Sequence, residues 1–174
     1  MAVYAIAFVF YVVDLANRSG DSAATPEVDA SGKVVVRSRS LRIGFALTVL
    51  GFVLHLAATV MRGIAAERLP YANMYEFSLT ATTAIIAVFI LSQFFVEVRY
   101  LGSLVTGLTV LFLGVSKVNF YVAIVPLPPA LDTYWLVIHI TVAVLAVGFL
   151  TLSFGLSVLQ LLQNRRENAQ KVGE

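Results

Sequence analysis

IGFALTVLGFVLHLAATVM, residues 43–61, runs for nineteen positions without an acidic residue, a lysine or an arginine. A hydrocarbon core about 30 Å thick needs about 20 predominantly apolar residues in a helix. The stretch therefore reads as a membrane-spanning helix. It holds one residue that such helices rarely carry, His55.

Working outward, three more segments meet the same requirement: residues 77–96, residues 100–116 with an extension toward 125, and residues 134–162. The last is long enough to tilt or to project beyond the bilayer. A fifth apolar segment, residues 1–13, is short and closed by Asp14. It lacks a basic leading region and a small-residue cleavage site, which argues against a signal peptide. It is expected to be a helix truncated at its start, the natural chain beginning upstream of Met1.

The composition agrees. Of 174 residues, 59% are hydrophobic and 13% charged, and the mean hydropathy is +0.89. A soluble domain of this length cannot bury that much apolar surface. The expected fold class is all-α, a polytopic transmembrane helical bundle of about five spans. Residues 1–16 would form the first, truncated helix, residues 17–40 a flexible cytoplasmic linker, residues 41–163 a four-helix transmembrane part, and residues 164–174 a basic cytoplasmic tail. The chain has no cysteine, so it forms no disulfide and offers no thiolate. With a net charge of only +2, nothing points to a nucleic-acid partner.

Five spans make the loops alternate sides. One side collects Arg18, Lys33, Arg37, Arg39, Arg42, Arg99, Arg165, Arg166 and Lys171, and the other only Arg62, Arg68 and Lys117. Basic residues concentrate on the cytoplasmic side. The expectation is a multi-pass protein of the cell membrane, with linker and C-terminus cytoplasmic and loops 62–76 and 117–133 external.

Both histidines of the chain, His55 and His139, fall inside predicted spans, in their outer halves. An intramembrane ionisable residue is a functional candidate. The plain alternative is a neutral imidazole bonded to a backbone carbonyl or to a Ser or Thr of the next helix. Neutral imidazole is a good axial ligand for haem iron, and the edge of a helix bundle suits an apolar macrocycle. Arg62 follows His55 by seven residues, two turns above it on nearly the same face. It could pair with a haem propionate, or simply snorkel to lipid phosphate.

The outer stretch RLPYANMYEF, residues 68–77, reads as a turn followed by a capped helix start. Asn73 would cap, with Glu76 three residues on, a variant of the capping box. Tyr71, Tyr75 and Phe77 suit an interfacial aromatic belt. The second outer loop has three prolines before Trp135 and the helix of His139, a stiff platform beside an imidazole.

GFVLHLAATVMRG, RLPYANMYEF and PPALDTYWLVIHI, in this order and separation, resemble the amino-terminal half of the cytochrome c assembly proteins of the CcsA/ResC type, CcsB in actinobacteria. These are the haem-handling membrane subunits of system II cytochrome c biogenesis. The resemblance covers roughly residues 41–145. It implies haem as cofactor, with His55 matching a transmembrane haem-ligand histidine and His139 the first of two external ones. Metal ligation would rest on His55 and His139, with Arg62 and Trp135 as further cofactor-binding residues and no catalytic side chain. Thioether bonds join haem vinyl groups to the thiols of the apocytochrome, so no cysteine is required of this chain.

The implied partners are a ResB-type membrane subunit, apocytochrome c, a thiol reductant protein and the lipid bilayer. Together they would form a cytochrome c synthetase complex. The family's Trp-rich segment, second external histidine and second transmembrane histidine have no counterpart here, so the chain is expected to be half of such a protein. The rival expectations are a non-catalytic membrane scaffold or transporter subunit, and a non-functional truncated fragment.

Overall fold

In the computed structural model, which describes residues 1–20, 39–96, 98–124 and 133–172, every regular element is helical. Helix α1 spans Ala2–Gly20, α2 Arg39–Ala66, α3 Met74–Ser92, α4 Gly102–Asn119 and α5 Tyr134–Val172, with a 3-10 turn at Arg99–Leu101 leading into α4. Four stretches are long and apolar enough to cross a membrane: Arg39–Ala66, Met74–Ser92, Arg99–Asn119 and Tyr134–Arg165. The apolar part of α1, Ala2–Asn17, is shorter, as the sequence led us to expect. The chain is a polytopic helical bundle.

Helix α3 is the centre. It packs on α2, α4 and α5, while α1 lies against α2 and α4 on the other flank. Phe89 and Ile86 of α3, Leu101 and Val105 at the start of α4, and Tyr4 of α1 are fully enclosed between them. Threonines fill much of the remaining interior, and their hydroxyls donate to the carbonyl one turn back: Thr48 to Gly44 at 2.8 Å, Thr59 to His55 at 2.9 Å, Thr109 to Val105 at 2.8 Å. Such bonds keep polar side chains satisfied within their own helix, which an apolar surround demands.

Several boundaries differ from expectation. Helix α2 continues past Met61 to Ala66 and ends in a Schellman motif. The Glu67 amide donates to the Ile64 carbonyl and the Arg68 amide to Gly63, with Glu67 left-handed at φ 53°. The first outer loop is therefore short. Helix α5 carries the expected tail region on to Val172 as helix. At about 1.5 Å per residue its 39 residues outrun any bilayer. Of the predicted linker, residues 21–38 lie outside the described residues, as do residues 125–132 of the second outer loop with its prolines.

Candidate functional site

On α2 the buried residues Leu41, Gly44, Thr48, Gly51, His55 and Thr59 recur every three or four positions, one continuous seam. On α1, Tyr4, Ala7, Tyr11 and Asp14 do the same. Large meets small across this seam. Tyr11 lies over Gly44 and Tyr4 over Gly51, where an added Cβ would stand 2.7 Å from the Tyr4 ring. The two glycines let the tyrosines sit directly on the α2 backbone.

This close approach brings Tyr4 to His55. The rings meet edge to face, centroids 5.8 Å apart, and the Tyr4 hydroxyl lies 3.4 Å from His55 Nδ1. His55 is 8% exposed, and its Nε2 is buried with no well-formed hydrogen bond, the Leu79 backbone lying beside the ring. The proton position matters. If Nδ1–H donates to the tyrosine oxygen, Nε2 presents its lone pair, the arrangement that second-sphere partners impose on metal-bound histidines. His55 borders a cavity of about 210 Å³ whose other walls include Tyr4, Tyr75, Leu79 and Leu113, with Lys117 at its edge.

The outer stretch is organised around Glu76. As expected, the Asn73 side chain accepts the Glu76 amide at 2.9 Å and caps α3. The Glu76 carboxylate does not complete the capping box by reaching the Asn73 amide. It is fully enclosed, and it takes the Ala72 amide at 3.0 Å, Arg68 Nη1 at 2.7 Å and Arg62 Nε at 3.1 Å. Two guanidiniums outcompete one local amide for a buried carboxylate. Arg62 also donates through Nη2 to the Val122 carbonyl at 2.8 Å and lies over the Tyr75 ring. It thereby ties α2, the start of α3 and the segment after α4 together.

His139 and Trp135 lie in the first turns of α5, both exposed, Trp135 at 79%. No hydrogen bond from the His139 ring is made among the described residues. Helix α5 rests chiefly on α3, which stands between it and α2. The two histidines are therefore not brought together, and among the described residues no cluster of three metal-ligating His, Cys, Asp or Glu forms.

Sequence reasoning missed Tyr4, Lys117 and the role of Glu76. The first was legible in the matching seven-residue spacings Tyr4–Tyr11 and Gly44–Gly51. Lys117 carried no local signal beyond its charge.

The residues present fit one side of a haem site in their chemistry: an imidazole nitrogen with no well-formed hydrogen bond, apolar and aromatic walls, and a cation at the edge. The cavity itself lies below the range of about 300–1,000 Å³ usual for small-molecule sites. It has room for no more than the edge of a macrocycle.

Residues 71–173 match the model of the family described as "Cytochrome C assembly protein". That span includes Glu76, Lys117, Trp135 and His139, and lies downstream of His55. The chain is also similar to the "Cytochrome c biogenesis protein CcsA" of Trieres chinensis, 26% identical over 110 residues, a match covering 62% of this chain and 35% of that protein. The matched part thus spans about a third of the relative's length.

Proposed function

The chain belongs to the cytochrome c assembly protein family, and we propose that it acts in cytochrome c biogenesis, binding haem and presenting it at the outer membrane face for attachment to apocytochrome c. His55 is the iron ligand of one haem position and His139 of another, each completed by a ligand from outside this chain. The observation that carries this reading is the buried Nε2 of His55, without a well-formed hydrogen bond, beside a cavity. In this reading Nδ1–H donates to the Tyr4 oxygen, which orients the ring. Arg62 keeps the Glu76 network in register, and its Nη1 is the end left to offer a propionate. Trp135 supplies an exposed aromatic face at the head of α5, one turn before His139.

Bound haem would supply the vinyl groups that accept the apocytochrome thiols. This chain's own part is to hold, orient and shield. In this reading a ResB-type subunit and a thiol reductant protein complete the system, in the cell membrane with loops 62–76 and 117–133 outward.

The test is colour. The chain purified in detergent from haem-replete cells is expected to retain a Soret band, and His55→Ala to lose most of it. A second reading, a membrane scaffold with a structural histidine, has in its favour the Tyr4 hydroxyl as a ready partner for the ring. That reading requires a colourless protein in both forms.

A further inference from the structure

Three basic residues lie at the outer ends of α2 and α4 and in the loop between α2 and α3: Arg62, Arg68 and Lys117. Their surroundings differ. Arg62 and Arg68 share the Glu76 carboxylate, and their charge is spent on a buried ion pair within the chain. Lys117 makes no hydrogen bond or ion pair with any described residue. It sits four residues after Leu113 on α4, one turn farther out on the same face, and both residues line the cavity that His55 lines. Among the described residues lining that cavity, Lys117 is the only one with a charged side chain, Met1 with its α-amino group also lying in the wall; Arg62 is not among them.

The remaining walls are apolar or aromatic, with Tyr4, Tyr75, Leu79 and Leu113 as the larger ones. A ligand there meets the His55 side chain at one point, apolar surface around it, and a flexible ammonium at the outward edge. A lysine stem reaches along apolar surface while its head stays at the polar boundary. That set of groups suits a flat apolar molecule with an anionic rim.

We propose that Lys117 is the anion-binding residue of the His55 cavity and takes a carboxylate of the porphyrin held there. The assignment rests on the haem reading above. It separates the two ends of the ligand: His55 holds the metal and Lys117 fixes which edge faces outward. With the acid edge held at the boundary, the opposite edge of the ring points between the helices. A carboxylate on Lys117 would fix which edge of the ring faces outward, which His55 alone leaves free.

The experiment uses iron-free protoporphyrin and its dimethyl ester, which removes metal ligation and varies only the carboxylates. Binding to the full chain in neutral detergent is followed by porphyrin fluorescence. The wild type is expected to prefer the diacid by about threefold to tenfold, the scale of one partly exposed ion pair. Lys117→Gln should bind both forms alike, and Lys117→Arg should restore the preference.

A Lys117→Gln protein that keeps the full preference overturns the assignment. So does a wild type that loses the preference when anionic phospholipid is added, because the ammonium then serves lipid phosphate. Haem binding by His55→Ala is measured in parallel. Loss of acid preference in Lys117→Gln with unchanged haem spectra in His55→Ala refutes the ligand reading alone. The reverse pattern refutes only the role of Lys117. A wild type that binds neither porphyrin overturns the role of Lys117, the ligand reading being tested by the haem spectra of His55→Ala.

Discussion

The Tyr4 hydroxyl stands 3.4 Å from Nδ1 of His55, across a seam that Gly51 keeps narrow. The contact links the shortest apolar helix to the ring that carries the proposed chemistry. Removing the hydroxyl leaves Nδ1 without that partner.

Tyr4→Phe is therefore expected to weaken haem binding by about tenfold, the lower end of what loss of a ligand's hydrogen-bond partner costs in metal sites. Titration of haem into the purified variant measures this. Unchanged affinity would mean the tyrosine does not orient the ring.

Gly51→Ala places a methyl group where the Tyr4 ring already lies, 2.7 Å from its nearest carbon. Tyr4 is buried at 1% exposure, so its ring can yield only toward the adjoining cavity. Displacing the ring or separating the helices costs about 1–3 kcal/mol, the usual cost of overpacking. Thermal unfolding in detergent should show the loss, and a melting point equal to the wild type would mean that α1 is only loosely seated.

Glu76→Gln tests the outer network. The carboxylate is fully enclosed and bonded to Arg68 at 2.7 Å and Arg62 at 3.1 Å. Neutralising it removes the countercharge shared by two guanidiniums that are themselves nearly covered. Breaking a buried pair from one side costs about 3–5 kcal/mol. The variant should unfold at distinctly lower temperature. A stability within error of the wild type would mean that solvent reaches the site and screens it.

Much of this fold was legible in the sequence because a bilayer imposes one requirement per helix. The apolar runs marked α2 to α5, and Asn73 with Glu76 marked the start of α3. The end of α2 was less visible, because Ala65 and Ala66 continue a helix as readily as they join a loop, and a left-handed Glu67 replaces the glycine that usually signals the stop. His55 stood out by being polar in an apolar run. Its surroundings did not, since Tyr4 and Lys117 come from helices far away in sequence. Glu76 was read as a cap residue because that needs only its neighbours, whereas the pairing with Arg62 needs two helices in place.

Orientation carries its own prediction. Nine basic residues against three favour the proposed orientation, with loops 62–76 and 117–133 outside. Met74, 60% exposed at the start of α3, is a suitable probe site. Met74→Cys in this cysteine-free chain should react with an impermeant thiol reagent in intact cells. Reaction only after lysis would invert the topology and put both histidines in the inner half.

The central claim is that His55 ligates haem and that His139 does not share that iron, since α3 separates their helices. Haem titration followed by Soret and magnetic circular dichroism spectra, on the wild type, His55→Ala and His139→Ala with added imidazole filling any open axial position, tests it most directly. The account predicts that His55→Ala loses the ligation signal of its site while His139→Ala keeps it. One haem per chain with bis-histidine spectra, lost equally in either variant, would contradict it.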